Sequence, residues 1–218
     1  MIRAVVFDLD GVLIESEQLW DRARKNVVAE HGGKWRDDAT RAMQGMNSEE
    51  WAGYLHDTLD VDLPTEQIVD LVVDDLLRQY RQHLPLLPGA VEAVRRIGAR
   101  WPLGLASSSN RVVIDAVLEA AGLGDAFAAT VSSDEVHRGK PAPDVYLEAA
   151  RLLHQPPNAC AAVEDSTSGI QSASTAGFSV VAVPNRGYPP RDDVLAEAAV
   201  VLDNLDQLTE SVITVSSR

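Results

Sequence analysis

Cysteine is almost absent from this sequence, since Cys160 is the only one in 218 residues. An intramolecular disulfide is therefore excluded, and the lone thiol favours a reducing cytoplasm as the location. Long apolar runs are also missing, because the longest are strand-sized and interrupted by charges, so we expect no membrane span. The first residues lead directly into a strand-like segment, and we expect no signal peptide there.

Positive charge is also scarce. The formal net charge is −14 at pH 7, and lysine occurs only as Lys25, Lys34 and Lys140. Nucleic-acid binding depends on Lys and Arg that neutralise phosphates, so this charge balance argues against a nucleic-acid partner. A small anionic substrate is not excluded, because a bound cation and a few local donors reverse the field at a single site.

Short apolar, β-branched runs alternate with helix-like stretches in residues 1–14 and 85–218. This alternation is typical of β–α–β units and predicts an α/β fold with a Rossmann-like, mainly parallel sheet. The predicted strands are apolar on both faces, as buried parallel strands must be. They comprise residues 4–9, 103–106, 128–131, 161–163, 180–183 and 200–202.

Residues 15–84 differ, because they contain no convincing strand. Their apolar spacing predicts four amphipathic helices over 17–31, 37–44, 48–59 and 66–83. We therefore expect an inserted α-helical cap domain at 15–84 within a catalytic core formed by 1–14 and 85–218. Asn110 is expected to cap a further helix, and residues 212–218 to form a frayed tail.

Polar residues cluster where the predicted strands end. Ligands of parallel sheets bind at the carboxyl ends of the strands, so these residues are expected to share one site. The site would contain four carboxylates, a serine cluster and a lysine: Asp8, Asp10, Glu164, Asp165, Ser107, Ser108, Ser109 and Lys140.

These side chains are chemically complementary. Adjacent carboxylates repel one another unless a cation or proton is present, and a few oxygen ligands suit Mg²⁺. Ser107 and the amides after it are placed to hold phosphate oxygens at a helix N-terminus. Lys140 would neutralise both the carboxylates and a transferring phosphoryl group.

Four motifs in this order resemble the haloacid dehalogenase superfamily of phosphotransferases over essentially the whole chain. They are Asp8-Leu9-Asp10-Gly11-Val12, Ser107, Lys140 within residues 139–144, and Glu164-Asp165. The resemblance implies a Mg²⁺-dependent phosphatase that hydrolyses a small phosphorylated metabolite, a sugar phosphate, through an aspartyl-phosphate.

The resemblance also implies roles for these residues. Asp8 would be the nucleophile and a metal ligand. Asp10 would protonate the leaving oxygen, then deprotonate the attacking water, and give its backbone carbonyl to the metal. Asp165 would complete the protein ligands, with Glu164 binding directly or through water.

The phosphoryl oxygens would be bound by Ser107, Ser108 and Lys140, and the helical insert would be a mobile cap that excludes water. A dehalogenase needs no acid two residues after its nucleophile, so Asp10 favours phosphoryl transfer.

A mutase resembling β-phosphoglucomutase is the alternative activity. Those mutases carry a cap histidine where this chain has Trp20, and an arginine near the position of Asn47-Ser48. Their residues after the second-motif serine, which correspond to Asn110 and Arg111, help to hold a second phosphate. These three residues, Trp20, Asn110 and Arg111, are therefore candidate substrate contacts. The start of the insert resembles phosphatases of the 2-deoxyglucose-6-phosphate type, which favours a phosphatase with Trp20 as an apolar wall over the sugar.

Overall fold

A six-stranded parallel sheet forms the centre of the protein in a computed structural model that describes residues 1–43 and 46–216. The strand order is β3-β2-β1-β4-β5-β6, and every neighbouring pair is parallel. The predicted Rossmann-like α/β fold is confirmed. The strands are β1 (Ala4–Phe7), β2 (Leu103–Ser107), β3 (Ala129–Ser132), β4 (Cys160–Glu164), β5 (Ser179–Ala182) and β6 (Val200–Val201).

Helices flank the sheet and fill the segment between β1 and β2. None in the described ranges is long and apolar enough to cross a membrane. They are α1 (Glu17–Glu30), α2 (Ala39–Ala42), α3 (Ser48–Asp57), α4 (Thr65–Gln82), α5 (Ala90–Gly98), α6 (Arg111–Ala120), α7 (Asp144–Leu152), α8 (Thr167–Thr175), α9 (Asp192–Leu195) and α10 (Glu210–Val215).

The apolar runs of the strands are buried on both faces, which explains their lack of polar alternation. Val5 and Phe7 of β1 belong to one hydrophobic cluster with the helices of the insert. Ala4 and Val6 point to the opposite cluster, which includes residues of α7 and α8. Because β1 lies between β2 and β4, the polar residues that follow these three strands emerge side by side.

The helical insert, comprising α1–α4, packs largely around α4, which contacts both α1 and α3. Helix α3 begins at a capping box: the Asn47 side chain accepts from the Glu50 amide, and the Glu50 carboxylate accepts from the Asn47 amide. Of the predicted helix over 37–44, the structure has Ala39–Ala42, and residue 44 lies outside the described residues. The division into domains at 15 and 84 stays a prediction.

Two local predictions were wrong. The predicted frayed tail contains the end of α10, because Thr209 caps that helix by accepting from the Val212 amide and Ile213 is fully buried. Residues 217–218 lie outside the described residues. Asn110 precedes α6 but makes no side-chain capping bond, since its amide group is bound elsewhere.

Candidate active site

The ends of β1 and β4 and the loop before α7 bring Asp8, Lys140 and Glu164 together. The Lys140 Nζ lies 2.9 Å from Asp8 Oδ1 and 2.6 Å from Glu164 Oε1. All three side chains are buried. A buried ammonium is thus placed between two carboxylates.

Glu164 is fully bonded within the protein. Its Oε1 accepts from Lys140 and from the Tyr146 hydroxyl at 2.8 Å, and its Oε2 accepts from the Asp165 amide at 3.0 Å. Gly169 leaves the space for this carboxylate, because a Cβ there would lie 1.9 Å from Glu164 Oε1. Glu164 therefore anchors Lys140 and has little bonding capacity left.

Asp165 has the opposite character. Its buried Oδ1 has no hydrogen-bond partner among residues 1–43 and 46–216. The same is true of Asp8 Oδ1. Lys140 forms an ion pair with that oxygen, but not in hydrogen-bonding geometry. Gly11 adopts φ +79°, and a Cβ there would lie 1.9 Å from Asp165 Oδ2. Buried polar atoms are normally bonded, so these two oxygens require an explanation.

A divalent cation would satisfy both orphaned oxygens. Carboxylate oxygens of Asp8, Glu164 and Asp165 lie within 4.8 Å of one another. Since Glu164 is already bonded, Asp8 and Asp165 are the two carboxylates open to a metal. Hard oxygen donors of this kind fit Mg²⁺.

The local electrostatics favour the binding of a further cation. Burial, reinforced by the nearby Glu164, raises the pKa of Asp8 from 3.8 to about 8. Burial and the charges of Glu164 and Asp8 raise the pKa of Asp165 well above its usual value. Burial alone would lower the pKa of Lys140, but the carboxylates of Asp8 and Glu164 raise it overall. The single ammonium of Lys140 therefore does not offset the cost of burying the charges of Asp8 and Asp165.

The Asp10 carboxylate is surrounded by hydrogen-bond donors. Its Oδ1 accepts from the Ser16 hydroxyl and, at 3.2 Å, from Trp20 Nε1. Its Oδ2 accepts from the hydroxyls of Ser109 at 2.7 Å and Ser107 at 3.3 Å. Trp20 therefore presents its N–H to Asp10, besides providing an apolar surface.

Two cavities lie at this site, and one of them contains Asp8 and Lys140. The other, the insert pocket, extends from Asp10 under the helical insert. It shares Asp10, Glu17 and Ser108 with the cavity that contains Asp8 and Lys140, so the two adjoin. The insert pocket is lined by Asp10, Glu17, Trp20, Arg24, Met43, Met46, Trp51, Ser108 and Ser109.

Asn110 and Arg111 do not line either cavity. The Asn110 amide donates to the Ser48 hydroxyl at 2.7 Å and to the Asp134 carboxylate at 3.1 Å. Arg111 is bound to Glu135, with an Nη2–Oε2 distance of 2.7 Å, and to Thr130. Both candidate substrate residues are thus engaged with protein groups in this conformation.

The sequence reasoning gave no role to Ser16, Glu17, Arg24 or Tyr146. The helical spacing of the sequence predicts that Arg24 is buried, because it falls on the same face of α1 as Trp20 and Val27. A charged residue on an apolar stripe is unusual and marks either a buried pair or a site. Tyr146 carried no such signal, since its contact with Glu164 depends on tertiary structure.

Comparison with known proteins agrees with this geometry. A family model described as haloacid dehalogenase-like hydrolase matches residues 2–177. Hexitol phosphatase B of Escherichia coli (strain K12) is 33% identical over 215 residues, which cover 95% of each chain. The phosphorylated carbohydrates phosphatase of Thermotoga maritima is 30% identical over 178 residues, covering 81% of this chain and 82% of that protein.

A solved structure extends the likeness to three dimensions. The crystal structure of CbbY from Rhodobacter sphaeroides in complex with phosphate aligns with a TM-score of 0.87 and 26% identity, covering 98% of this chain and all of that one (100%). Fold, site and relatives together define a phosphoric monoester hydrolase. The chain belongs to the haloacid dehalogenase-like hydrolases.

Proposed function

We propose that this enzyme is a Mg²⁺-dependent phosphatase of the cytoplasm that hydrolyses a sugar phosphate or similar monoester through an aspartyl-phosphate on Asp8. The observation that carries the proposal is the buried Asp8 carboxylate, paired with Lys140 and followed two residues later by Asp10. The relatives named for hexitol and carbohydrate phosphates support this substrate class.

In the first step, a carboxylate oxygen of Asp8 forms a bond to phosphorus while the bond from phosphorus to the ester oxygen breaks. Lys140, held by Glu164, neutralises charge on the transferring group without having to reorganise. Ser107 ends β2 and Ser108 follows it in the loop before α6, where hydroxyl and amide groups would bind the phosphoryl oxygens.

Asp10 supplies the proton for the leaving oxygen and then accepts one from the water that attacks the aspartyl-phosphate. Three of its four partners are hydroxyls, which can donate or accept, so its contacts survive both protonation states. The indole N–H of Trp20 can only donate to Oδ1. We therefore assign the transferable proton to Oδ2, on the side of Ser107.

Asp8 and Asp165 would hold the metal, together with the backbone carbonyl of Asp10. A bound Mg²⁺ would stabilise negative charge on the phosphoryl group and keep Asp8 ionised. Glu164 would contribute through the amide of Asp165 and through Lys140, because its own oxygens are already bonded.

The residues that would hold a second phosphate in the mutase alternative are bound to protein carboxylates. The Asp134 carboxylate accepts from the Ser48 amide at 3.0 Å, from the Ser48 hydroxyl at 2.7 Å and from Asn110. Arg111, the remaining candidate for that phosphate, is paired with Glu135. Trp20 also replaces the mutases' histidine with a side chain that cannot accept a proton. These contacts favour the phosphatase.

The activity can be decided by a paired assay. We expect inorganic phosphate release from hexose and hexitol monophosphates in the presence of Mg²⁺. We expect no conversion of β-glucose 1-phosphate to glucose 6-phosphate, with or without glucose 1,6-bisphosphate. Rapid bisphosphate-dependent isomerisation with negligible phosphate release would contradict the phosphatase and would require Arg111 to leave Glu135.

Removal of the metal should abolish catalytic activity reversibly. A divalent cation stabilises transition-state charge by several kcal/mol, so exhaustive chelation should lower kcat about 100-fold or more. Readdition of Mg²⁺ should restore activity, and EDTA saturated beforehand with Mg²⁺ is the control. Ca²⁺ should inhibit, because its looser coordination misaligns the nucleophile. Full activity in metal-free protein would rule out the proposed cofactor.

A further inference from the structure

Arg24 is the one arginine buried within residues 1–43 and 46–216, with 8% of its surface exposed. In the same part of the chain, its Nε has no hydrogen-bond partner and no carboxylate lies within ion-pairing distance of its guanidinium. Desolvation of a cation is costly, so a buried guanidinium N–H without an acceptor calls for an explanation, and a bound ligand is one.

Two indole rings hold Arg24 in place. Its Cζ lies 4.9 Å from the ring centroid of Trp20 and 5.2 Å from that of Trp51, and the two rings meet edge to face. These contacts fix the guanidinium at the wall of the insert pocket, which adjoins the Asp10 carboxylate. They do not satisfy its Nε–H, which has no acceptor among the described residues, since a ring face does not replace a directed hydrogen bond.

The charges around Arg24 indicate what the pocket receives. Asp10 and Glu17 line the same pocket as Arg24, and the carboxylates of Glu17, Asp21 and Asp10 all act on the charge of its guanidinium. A second anionic group on the substrate would meet this acidic surrounding, whereas uncharged hydroxyls would accept from Arg24 and donate to Glu17. The indole rings provide apolar faces for the C–H groups of the same molecule.

We propose that Arg24 is a specificity-determining residue that binds hydroxyl groups of the uncharged polyol end of the substrate, with Glu17 as the acceptor in the same pocket. This inference rests on the proposed phosphatase function and narrows it to monophosphates of polyhydroxylated compounds. The transferred phosphoryl group lies at Asp8, and Arg24 acts only on the distal end.

The test compares two substrates that share the phosphate and differ in the distal end. Sorbitol 6-phosphate presents hydroxyls to the insert pocket, and ethyl phosphate presents none. For Arg24→Met we expect kcat/KM for sorbitol 6-phosphate to fall about 10- to 150-fold, the range for losing hydrogen bonds to a charged group. The loss should appear mainly in KM, while kcat/KM for ethyl phosphate should stay essentially unchanged.

Lys25→Met is the matched control, because Lys25 is a neighbouring cation on α1 that pairs with Asp21 and lies over Trp35, outside the pocket. It should leave both substrates unaffected. Arg24→Gln keeps hydrogen-bond donors but loses the charge and the paired N–H groups of the guanidinium. It should give an intermediate loss of kcat/KM for sorbitol 6-phosphate, and it replaces the methionine variant if that variant does not fold.

Three results would overturn the inference. Equal losses for both substrates would make Arg24 a structural residue, and no loss for either would show that Arg24 does not bind the substrate. A selective loss for fructose 1,6-bisphosphate, with sorbitol 6-phosphate unaffected, would show that Arg24 binds a distal anion. If the unsubstituted protein releases phosphate from no monoester at all, the proposed function fails and this inference fails with it.

Discussion

Asp8→Asn is expected to lower kcat at least about 10⁴-fold, since loss of a covalent nucleophile removes the whole reaction path. The amide is nearly the same size as the carboxylate and is a poor nucleophile, so the fold should remain. Phosphate release from a hexitol phosphate in the presence of Mg²⁺ measures the effect. Asp38→Asn is the matched control, because that exposed carboxylate pairs with Arg36 away from both cavities. Near-normal turnover in Asp8→Asn would contradict the mechanism.

The same substitution should stabilise the metal-free protein. The pKa of Asp8 is raised from 3.8 to about 8 in the fold, so the folded state binds this proton more tightly than the unfolded chain. Stability from this residue is therefore lost as pH rises from about 4 to about 8. At pH 8 we expect Asp8→Asn to raise the Tm by at least about 3 °C, and the gain should vanish at pH 4. If the difference in Tm between Asp8→Asn and the unsubstituted protein were the same at both pH values, the proposed excess of negative charge around Asp8 would be contradicted.

Asp10→Asn is expected to lower steady-state kcat about 10²- to 10⁴-fold, the usual contribution of a general acid and base. With p-nitrophenyl phosphate the leaving group needs no proton, so the first step should survive while hydrolysis of the aspartyl-phosphate stays slow. The variant should therefore release one nitrophenolate per active site in a burst and then nearly stop. Rapid-mixing absorbance measures this burst.

A different result is expected if Asp10 only positions neighbouring groups. If both steps slow together with p-nitrophenyl phosphate, Asp10 positions the site through its contacts with Ser107 and Ser109 and does not transfer the proton. The variant Ser109→Ala separates these cases, because it removes one of these contacts and leaves the Asp10 carboxylate in place. A positioning role would make Ser109→Ala nearly as slow as Asp10→Asn.

Residues whose position follows from the sheet were predictable from the sequence. Asp8, Ser107 and Glu164 lie at the ends of three adjacent parallel strands, and the apolar runs before them identify those strands. Because the carboxyl ends of parallel strands lie at the same edge of the sheet, these residues are predicted to lie close together. The order of the motifs places Lys140 at the same edge. The family resemblance agreed with the fold and with the matched family model.

Residues that depend on packing of the insert were not predictable. Ser16 and Trp20 contact Asp10 only because α1 folds back over the strand ends. Arg111 pairs with Glu135 across 24 sequence positions, so this pairing could not be predicted from its local place in the first turn of α6. The saturation of Glu164 by Tyr146 likewise required the tertiary structure.

The most direct test of the account is to identify the phosphorylated residue. Asp10→Asn protein, mixed with p-nitrophenyl phosphate and Mg²⁺ and quenched in acid within the burst, should carry one phosphoryl group on the peptide that contains Asp8. The label should be released by hydroxylamine, as an acyl phosphate is, and should be absent from the Asp8→Asn, Asp10→Asn double variant. Turnover without any labelled protein, or a stable label on Ser107 or Ser109, would contradict nucleophilic attack by Asp8.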